Sequence, residues 1–315
     1  MVVYERIDDI NVTDSTCITI GNFDGVHKGH QTLMKRAVNY SKKNNLKSVV
    51  FTFSNHPVNF FKSGYVKNII SSEDKKKILE SLGVDILVNI PFNEDMTKIS
   101  AEDYIRQILV EKLNAKMIIV GHDFSFARKK EGNADVLINF KEKYGYDVEV
   151  VTPVILNGKR VSSTDIRAMI SSGDVVGAKK LLGRYYAIEG EVVRARQIGR
   201  TIGFPTANIK YDSGMVLPDK GIYATIAKIG DVIYCGATNV GTNPTVNGKK
   251  LSIETYILDF DEDIYGESLR IEFVEKIREE IKFNSKEDLK QQLEQDVDYV
   301  RKNYIEHLKK HAFTE

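Results

Sequence analysis

The chain has 315 residues, a length that at about 100–200 residues per domain favours two domains, and its 42% apolar content is enough to fill their cores. Forty-five Lys and Arg against 44 Asp and Glu leave a net charge of +1, which excludes the broad positive field of a general nucleic-acid binder and sends the search for partners to local motifs. No apolar run approaches the roughly 18 residues of a membrane span, and the opening Met-Val-Val-Tyr-Glu-Arg lacks the layout of a secretory leader, so a soluble cytoplasmic protein is expected.

The first half alternates short β-branched runs with helical patterns. Strands are expected at 16–20, 48–53, 84–90, 117–120 and 148–151, with helices over 28–44 and opening at Ser72, at Ser100 and near Gly132. Ser100 and Asp103 make a capping box. Strands separated by crossover helices predict a doubly wound parallel sheet with ligands at the carboxyl ends of its strands. Cys17 and Cys235 fall in expected strands, 218 positions apart, and read as buried small hydrophobes.

The rhythm changes near Gly183, which predicts domains over 1–183 and 184–315. Two helical segments, 164–171 and 175–182, give way to strands at 186–193, 222–229, 232–240, 252–258 and 269–273, with a tight turn at Gly230-Asp231. This is an antiparallel barrel or sandwich. A helix over 285–311 closes it, with Leu289, Leu293, Val297, Val300, Tyr304 and Leu308 on one face.

The most informative segment is Gly21-Asn22-Phe23-Asp24-Gly25-Val26-His27-Lys28-Gly29-His30, between a strand and a helix. His27 and His30 fall on one side of a helix start, where unpaired N–H groups and the dipole attract anions and the glycines admit a phosphate. Each ring there can donate to phosphate oxygens whose charge grows as pyrophosphate leaves. A metal site with Asp24 as third ligand and a pair of plain surface histidines remain open alternatives. A second segment, Val161-Ser162-Ser163-Thr164-Asp165-Ile166-Arg167, sets three hydroxyls and a guanidinium at a helix opening, which suits phosphate or simple capping. The runs Lys75-Lys76-Lys77 and Arg128-Lys129-Lys130 read as solvated charge. In the second half, Gly199-Arg200-Thr201-Ile202-Gly203-Phe204-Pro205-Thr206-Ala207-Asn208 reads as a loop. Its Thr206 hydroxyl and Asn208 carbonyl are hard ligands that suit magnesium, the alternative being a turn in which both bond the backbone.

Together the first two segments resemble the nucleotidylyltransferase superfamily. Gly21 to Gln31, Thr52-Phe53-Ser54-Asn55-His56-Pro57, Gly121-His122-Asp123-Phe124-Ser125-Phe126 and Ser162-Ser163-Thr164-Asp165-Ile166-Arg167 narrow the likeness to the adenylylating module of bacterial bifunctional riboflavin kinase/FAD synthetase. Pro205-Thr206-Ala207-Asn208, Asn239 to Thr245, Ile253 to Phe260, Tyr265-Gly266 and Ile277 to Phe283 are similar, in order, to the riboflavin kinase module of the same family. The resemblance implies a Rossmann-like nucleotidylyltransferase domain followed by a β-barrel riboflavin kinase domain with a terminal helix. It implies phosphorylation of riboflavin to FMN and adenylylation of FMN to FAD, with ATP and Mg²⁺, small-molecule partners, and neither nucleic acid nor membrane, and leaves protein partners open.

By the same resemblance, His27 and His30 polarise the ATP phosphates, Asn22 and Gly29 shape their loop, and Ser162, Ser163, Thr164 and Arg167 close it. His56, Pro57, Asp123 and Phe124 line a flavin pocket. In the kinase module Gly199 and Gly203 shape an ATP loop, Thr206 and Asn208 hold magnesium, Glu254 is the base on the ribityl hydroxyl, and Arg278 contacts flavin. Asn55 stands where the family has Pro, Ala127 where it has Gly, and Arg194-Ala195 where it has a pair such as His-Gly, with Arg194 and Arg196 adding positive charge. The change at Ala195 leaves a chain with adenylylation alone as an alternative, and a flavin- or nucleotide-sensing module without turnover is the non-enzyme one.

Overall fold

The computed structural model describes residues 1–195, 198–245 and 248–311, in two compact units, Met1–Ser163 and Thr164–Glu315. Among the described residues of the first unit, six strands form one sheet: β1 (Val2–Tyr4), β2 (Thr16–Ile20), β3 (Lys47–Phe53), β4 (Ile86–Ile90), β5 (Ala115–Gly121) and β6 (Asp147–Val151). All neighbours are parallel, in the order β1-β4-β3-β2-β5-β6. Every residue of β2 and β4 is buried, which is why neither strand shows a regular alternation of apolar and charged residues. β1 was not expected; three residues are too few to show a period, and it is fixed by pairing with β4.

The chain steps from β2 through β3 to β4 on one side and returns to β5 on the other. That reversal opens a crevice beyond the carboxyl ends of β2 and β5, where open α/β sheets bind ligands. The loops after Ile20 and Gly121, which carry the histidine and Gly-His-Asp-Phe motifs, start there.

The helix Lys28–Asn44 buries Met34, Ala37, Val38 and Ser41 and stops at Asn45, whose left-handed backbone forms its cap. Ser100 caps the next expected helix: its Oγ accepts from the Asp103 N–H at 3.1 Å and donates to Asp103 Oδ2 at 2.7 Å. That helix widens after Asp103 into a π-helical stretch, Tyr104–Lys112, that buries Tyr104, Ile105, Ile108 and Leu109.

In the second unit the described strands β7 (Tyr186–Val193), β8 (Thr206–Lys210), β9 (Gly221–Ile229), β10 (Val232–Thr245), β11 (Gly248–Ile257) and β12 (Ser268–Arg278) close an antiparallel barrel in the order β7-β8-β11-β10-β9-β12. β8 corrects the sequence reading, which had Thr206 and Asn208 in a loop. Turn residues around Thr206 mask the strand, and pairing with β7 and β11 on both sides imposes it. Inside, Thr225, Thr238 and Thr255 bond one another at 2.8 Å, satisfying their buried hydroxyls. The helix Lys286–His311 lays Val297 and Val300 against Phe204, Ala237 and Leu258.

Cys17 and Cys235 are buried free thiols, and burial pushes them up to about 12 and about 11. Among the described residues no helix is long and apolar enough to cross a membrane.

Candidate functional site: two phosphate-handling centres

The loop after β2 turns through an uncommon backbone. Phe23, Gly25 and Val26 have φ of 46°, 82° and 37°, and for a β-branched residue such as Val26 this is a strained conformation that the surroundings must enforce. They do so from several directions. The Asp24 carboxylate accepts from the Ile69 N–H at 3.0 and 3.2 Å, and the Asp24 carbonyl accepts from Ser163 Oγ at 2.9 Å. The Asn22 carbonyl accepts from Thr52 Oγ1 at 3.0 Å. Asp24 is therefore a brace of the loop, whereas the metal alternative needed it beside the histidines.

His27 closes the loop as the N-cap of the helix Lys28–Asn44, its Nδ1 accepting from the His30 N–H at 3.3 Å. Because Nδ1 accepts, a neutral His27 ring carries its proton on Nε2, a donor suited to a phosphate oxygen. The His30 ring stacks on it, centroids 3.5 Å apart and planes at 19°. Burial, then the nearby His27, Lys75 and Arg160, hold His30 well below the usual imidazole range, so it is neutral in the free protein. Its Nδ1 is buried and without a partner. Gly29 permits the stack: a Cβ there would lie 3.1–3.2 Å from the His27 ring.

These rings face a cavity of about 930 Å³, large enough for a cofactor-sized ligand. Asn22, His27, Gly29, His30, His56, Pro57, Asp123, Phe124, Ser162 and Ser163 all line it. Phe124 and Phe126 lie nearly parallel at 5.4 Å and, with Phe53 and Phe92, make flat apolar walls. His56 caps the short helix Pro57–Phe61 through Nδ1, which accepts from the Val58 N–H at 3.2 Å. The lining ends at Ser163; Thr164 and Arg167 lie further along the helix Ser163–Ser171, in the second unit.

Sequence reasoning missed two cations. Arg160 lines the cavity and donates from Nη2 to Asp123 Oδ2 at 2.5 Å; partial burial raises the Asp123 carboxyl, and Arg160 more than offsets this, leaving it below the usual carboxylate range. The clue was its place directly before Val161-Ser162. Lys75 overturns its reading as solvated charge: it is 7% exposed, and Nζ donates to the Phe53 carbonyl at 3.3 Å and to the Asn22 carbonyl at 3.5 Å. Its spacing of four from buried Leu79 was the signal for an inward helix face. Lys129 and Lys130 are exposed but sit on the cavity rim, with φ of 50° and 60°.

The second centre lies on adjoining barrel strands. Asn208 of β8 is opposite Glu254 of β11, which is opposite Asn239 of β10, so the three share a face, joined by Thr206 two residues before Asn208. Ser252 Oγ donates to Glu254 Oε1 at 3.3 Å, and the buried Asn239 Oδ1 has no partner. Thr206 and Asn208 thus supply hard oxygen donors that could hold a magnesium ion retaining several waters, with the Glu254 carboxylate beside them on the same face. The turn before β8 depends on Gly203 at φ 88° and on Gly199, where a Cβ would lie 2.2 Å from the Phe204 carbonyl oxygen.

Arg278 is tied to the terminal helix. Its Nε and Nη2 grip the Asp296 carboxylate at 2.8 and 2.6 Å, and Asp296 is 3% exposed. The Arg194 guanidinium stacks on the Tyr265 ring, 4.9 Å from its centroid. Arg196 lies outside the described residues.

Comparison with known proteins decides the family. The family models for FAD synthetase and riboflavin kinase match residues 9–165 and 182–304. A bifunctional riboflavin kinase/FMN adenylyltransferase of Haemophilus influenzae is 38% identical over 292 residues, 92% of this chain and 94% of that protein. The chain belongs to the bifunctional riboflavin kinase/FMN adenylyltransferase family. Members so named from Escherichia coli K12 and Listeria monocytogenes are each 35% identical, over 89% of this chain and 90% and 89% of theirs. A solved Streptococcus pneumoniae structure, described as a macrolide-efflux protein, superposes with a TM-score of 0.89 at 32% identity over 96% of this chain and 99% of that one.

Proposed function

We propose that this chain makes FAD from riboflavin in two ATP-dependent steps, with phosphorylation in residues 184–315 and adenylylation in residues 1–183. The observation that carries the reading is the meeting of the stacked His27/His30 pair, Ser162, Ser163 and aromatic walls in one cavity, on a chain whose barrel separately aligns Thr206, Asn208 and Glu254. The substrates are ATP, riboflavin and FMN, and the compartment is the cytoplasm.

In the first step the riboflavin 5′-hydroxyl oxygen forms a bond to the γ-phosphorus of ATP, the β–γ bridge breaks at that phosphorus and ADP leaves, and Glu254 accepts the hydroxyl proton. Thr206 and Asn208 hold the magnesium, which neutralises phosphate charge when bound. Gly199 and Gly203 keep the backbone turn open to the nucleotide, and Arg278 orders the end of the barrel at the flavin. In the second step an FMN phosphate oxygen attacks the α-phosphorus of a second ATP, the α–β bridge breaks and pyrophosphate leaves. His27 and His30 donate to oxygens that gain charge in this step, with Asn22 and Gly29 fixing their loop. Ser162, Ser163, Thr164 and Arg167 close over the phosphates, while His56, Pro57, Asp123 and Phe124 seat the isoalloxazine ring.

The test is chromatography of flavins after incubation of the purified chain with ATP, magnesium and either riboflavin or FMN. Glu254→Gln should abolish FMN formation and leave FMN-to-FAD conversion, and His30→Ala should do the reverse. Loss of both activities in either variant refutes the assignment of sites.

A further inference from the structure

Lys75 is a costly residue to keep where it is. A buried ammonium loses most of its hydration, and this one is held by two carbonyl oxygens, with the Asp24 carboxylate acting on it through space. Burial lowers its pKa and Asp24 partly restores it. An apolar side chain of the same length on the helix Ser72–Ser81 would avoid this desolvation, at the expense of leaving the Asn22 and Phe53 carbonyls without this donor.

The two oxygens it binds explain its presence. Phe53 ends β3, and Asn22 begins the strained loop that Phe23, Gly25 and Val26 carry to His27. We propose that Lys75 is a positioning residue for adenylyl transfer: its ammonium braces the Asn22 and Phe53 carbonyls, keeping the His27/His30 loop in shape and a fixed positive charge behind the phosphate site. The proposal rests on the assignment of adenylyl transfer to that loop. Lys75 acts on His30 through space, together with His27 from the loop itself and Arg160 from the segment before Ser162, while the Phe23 ring meets His30 edge-on at 5.2 Å. Removing one of these three positive or polar neighbours lets the His30 ring take a proton more readily; loosened packing would do the same by wetting the ring, so the arginine variant, which keeps the charge, separates the two.

The experiment uses the full chain as Lys75→Met, Lys75→Arg and His30→Ala, with FMN formation from riboflavin as a control in the same molecule. Lys75→Met should unfold at a somewhat lower temperature, remain folded under the assay and make FMN at the parent rate. Its kcat for FAD formation should fall about tenfold or more, as for a displaced catalytic group. In nuclear magnetic resonance of ring-labelled histidine, His30 should titrate at higher pH than in the parent. Lys75→Arg keeps the charge, so His30 should stay low and part of kcat should return. A parent-like kcat in Lys75→Met overturns the proposal. So does a fall in kcat with His30 unmoved and arginine no better than methionine, or a parallel loss of FMN formation and melting temperature. If His30→Ala still makes FAD, the loop assignment itself fails, whatever Lys75 does.

Discussion

The buried, neutral His30 makes a measurable link between pH and stability. In the unfolded chain an imidazole titrates near 6.5, whereas in the fold burial and the neighbouring His27, Lys75 and Arg160 hold it well below that. Above pH 6.5 neither state binds the proton and His30 contributes no slope. Below 6.5 the unfolded state takes up a proton that the folded state refuses, so stability falls as pH falls, by up to about 1.4 kcal/mol per pH unit, and levels off at the folded pKa. At pH 5.5 the loss from this one ring is therefore at most about 1.4 kcal/mol. The assay is urea unfolding by circular dichroism between pH 8 and 5 for the parent and for His30→Asn, which does not titrate. The parent should lose stability below pH 6.5 more steeply than the variant, by up to that amount at pH 5.5. Parallel curves, or a steeper variant, would refute the reading of His30 as a neutral buried ring. Phosphate reverses the sign locally: an anion beside His30 raises its pKa, so ATP binding near pH 6 should take up protons, detectable as a dependence of binding heat on buffer ionisation.

Three further outcomes follow from single contacts. Ala127 has φ 62° and ψ −175°, a region natural to glycine; relief of about 1–3 kcal/mol of strain less about 0.5–1 for glycine's entropy predicts that Ala127→Gly stabilises by about 1 kcal/mol, and a lower melting temperature would contradict it. Asp296→Ala strands the Arg278 guanidinium and should cost about 3–5 kcal/mol in urea unfolding, while Arg278→Met with Asp296→Leu recovers most of it; if that double variant also loses FMN formation, Arg278 serves the flavin as well as the helix. Gly29→Ala pushes on the His27 ring and should lower FAD formation about tenfold or more while FMN formation stays level, and an unchanged FAD rate would mean that the ring stack tolerates displacement.

Legibility in the sequence tracked the length and continuity of each signal. β2 and the helix Lys28–Asn44 were readable to the residue, because a fully buried strand, a glycine turn and a capped helix each leave a mark in composition. β1 and β8 were not, since their stability comes from neighbours in the sheet rather than from their own few residues. The site motifs were visible as strings, but their division of labour was not. Asp24 stands between the glycine turn and His27 yet braces Ile69, and Ser163 opens a helix yet bonds the Asp24 carbonyl 139 positions away. Such pairings are properties of the folded loop.

The same limit applies to charge. A net charge of +1 says that no surface field gathers phosphate, and the structure supplies the alternative on a smaller scale. At the first centre the positive sources are a helix N-terminus, a buried Lys75 and an Arg160 already paired with Asp123, while His30 itself is neutral. A neutral ring can be buried at modest cost, donate to a phosphate oxygen and gain charge only when the anion arrives. Placing Lys75 behind the loop rather than on the surface concentrates its effect where dielectric screening is weakest. That arrangement needs few charged residues, each in a specified place, and composition cannot register it: Lys75 counts the same in the total as its neighbour Lys77, which is exposed to water.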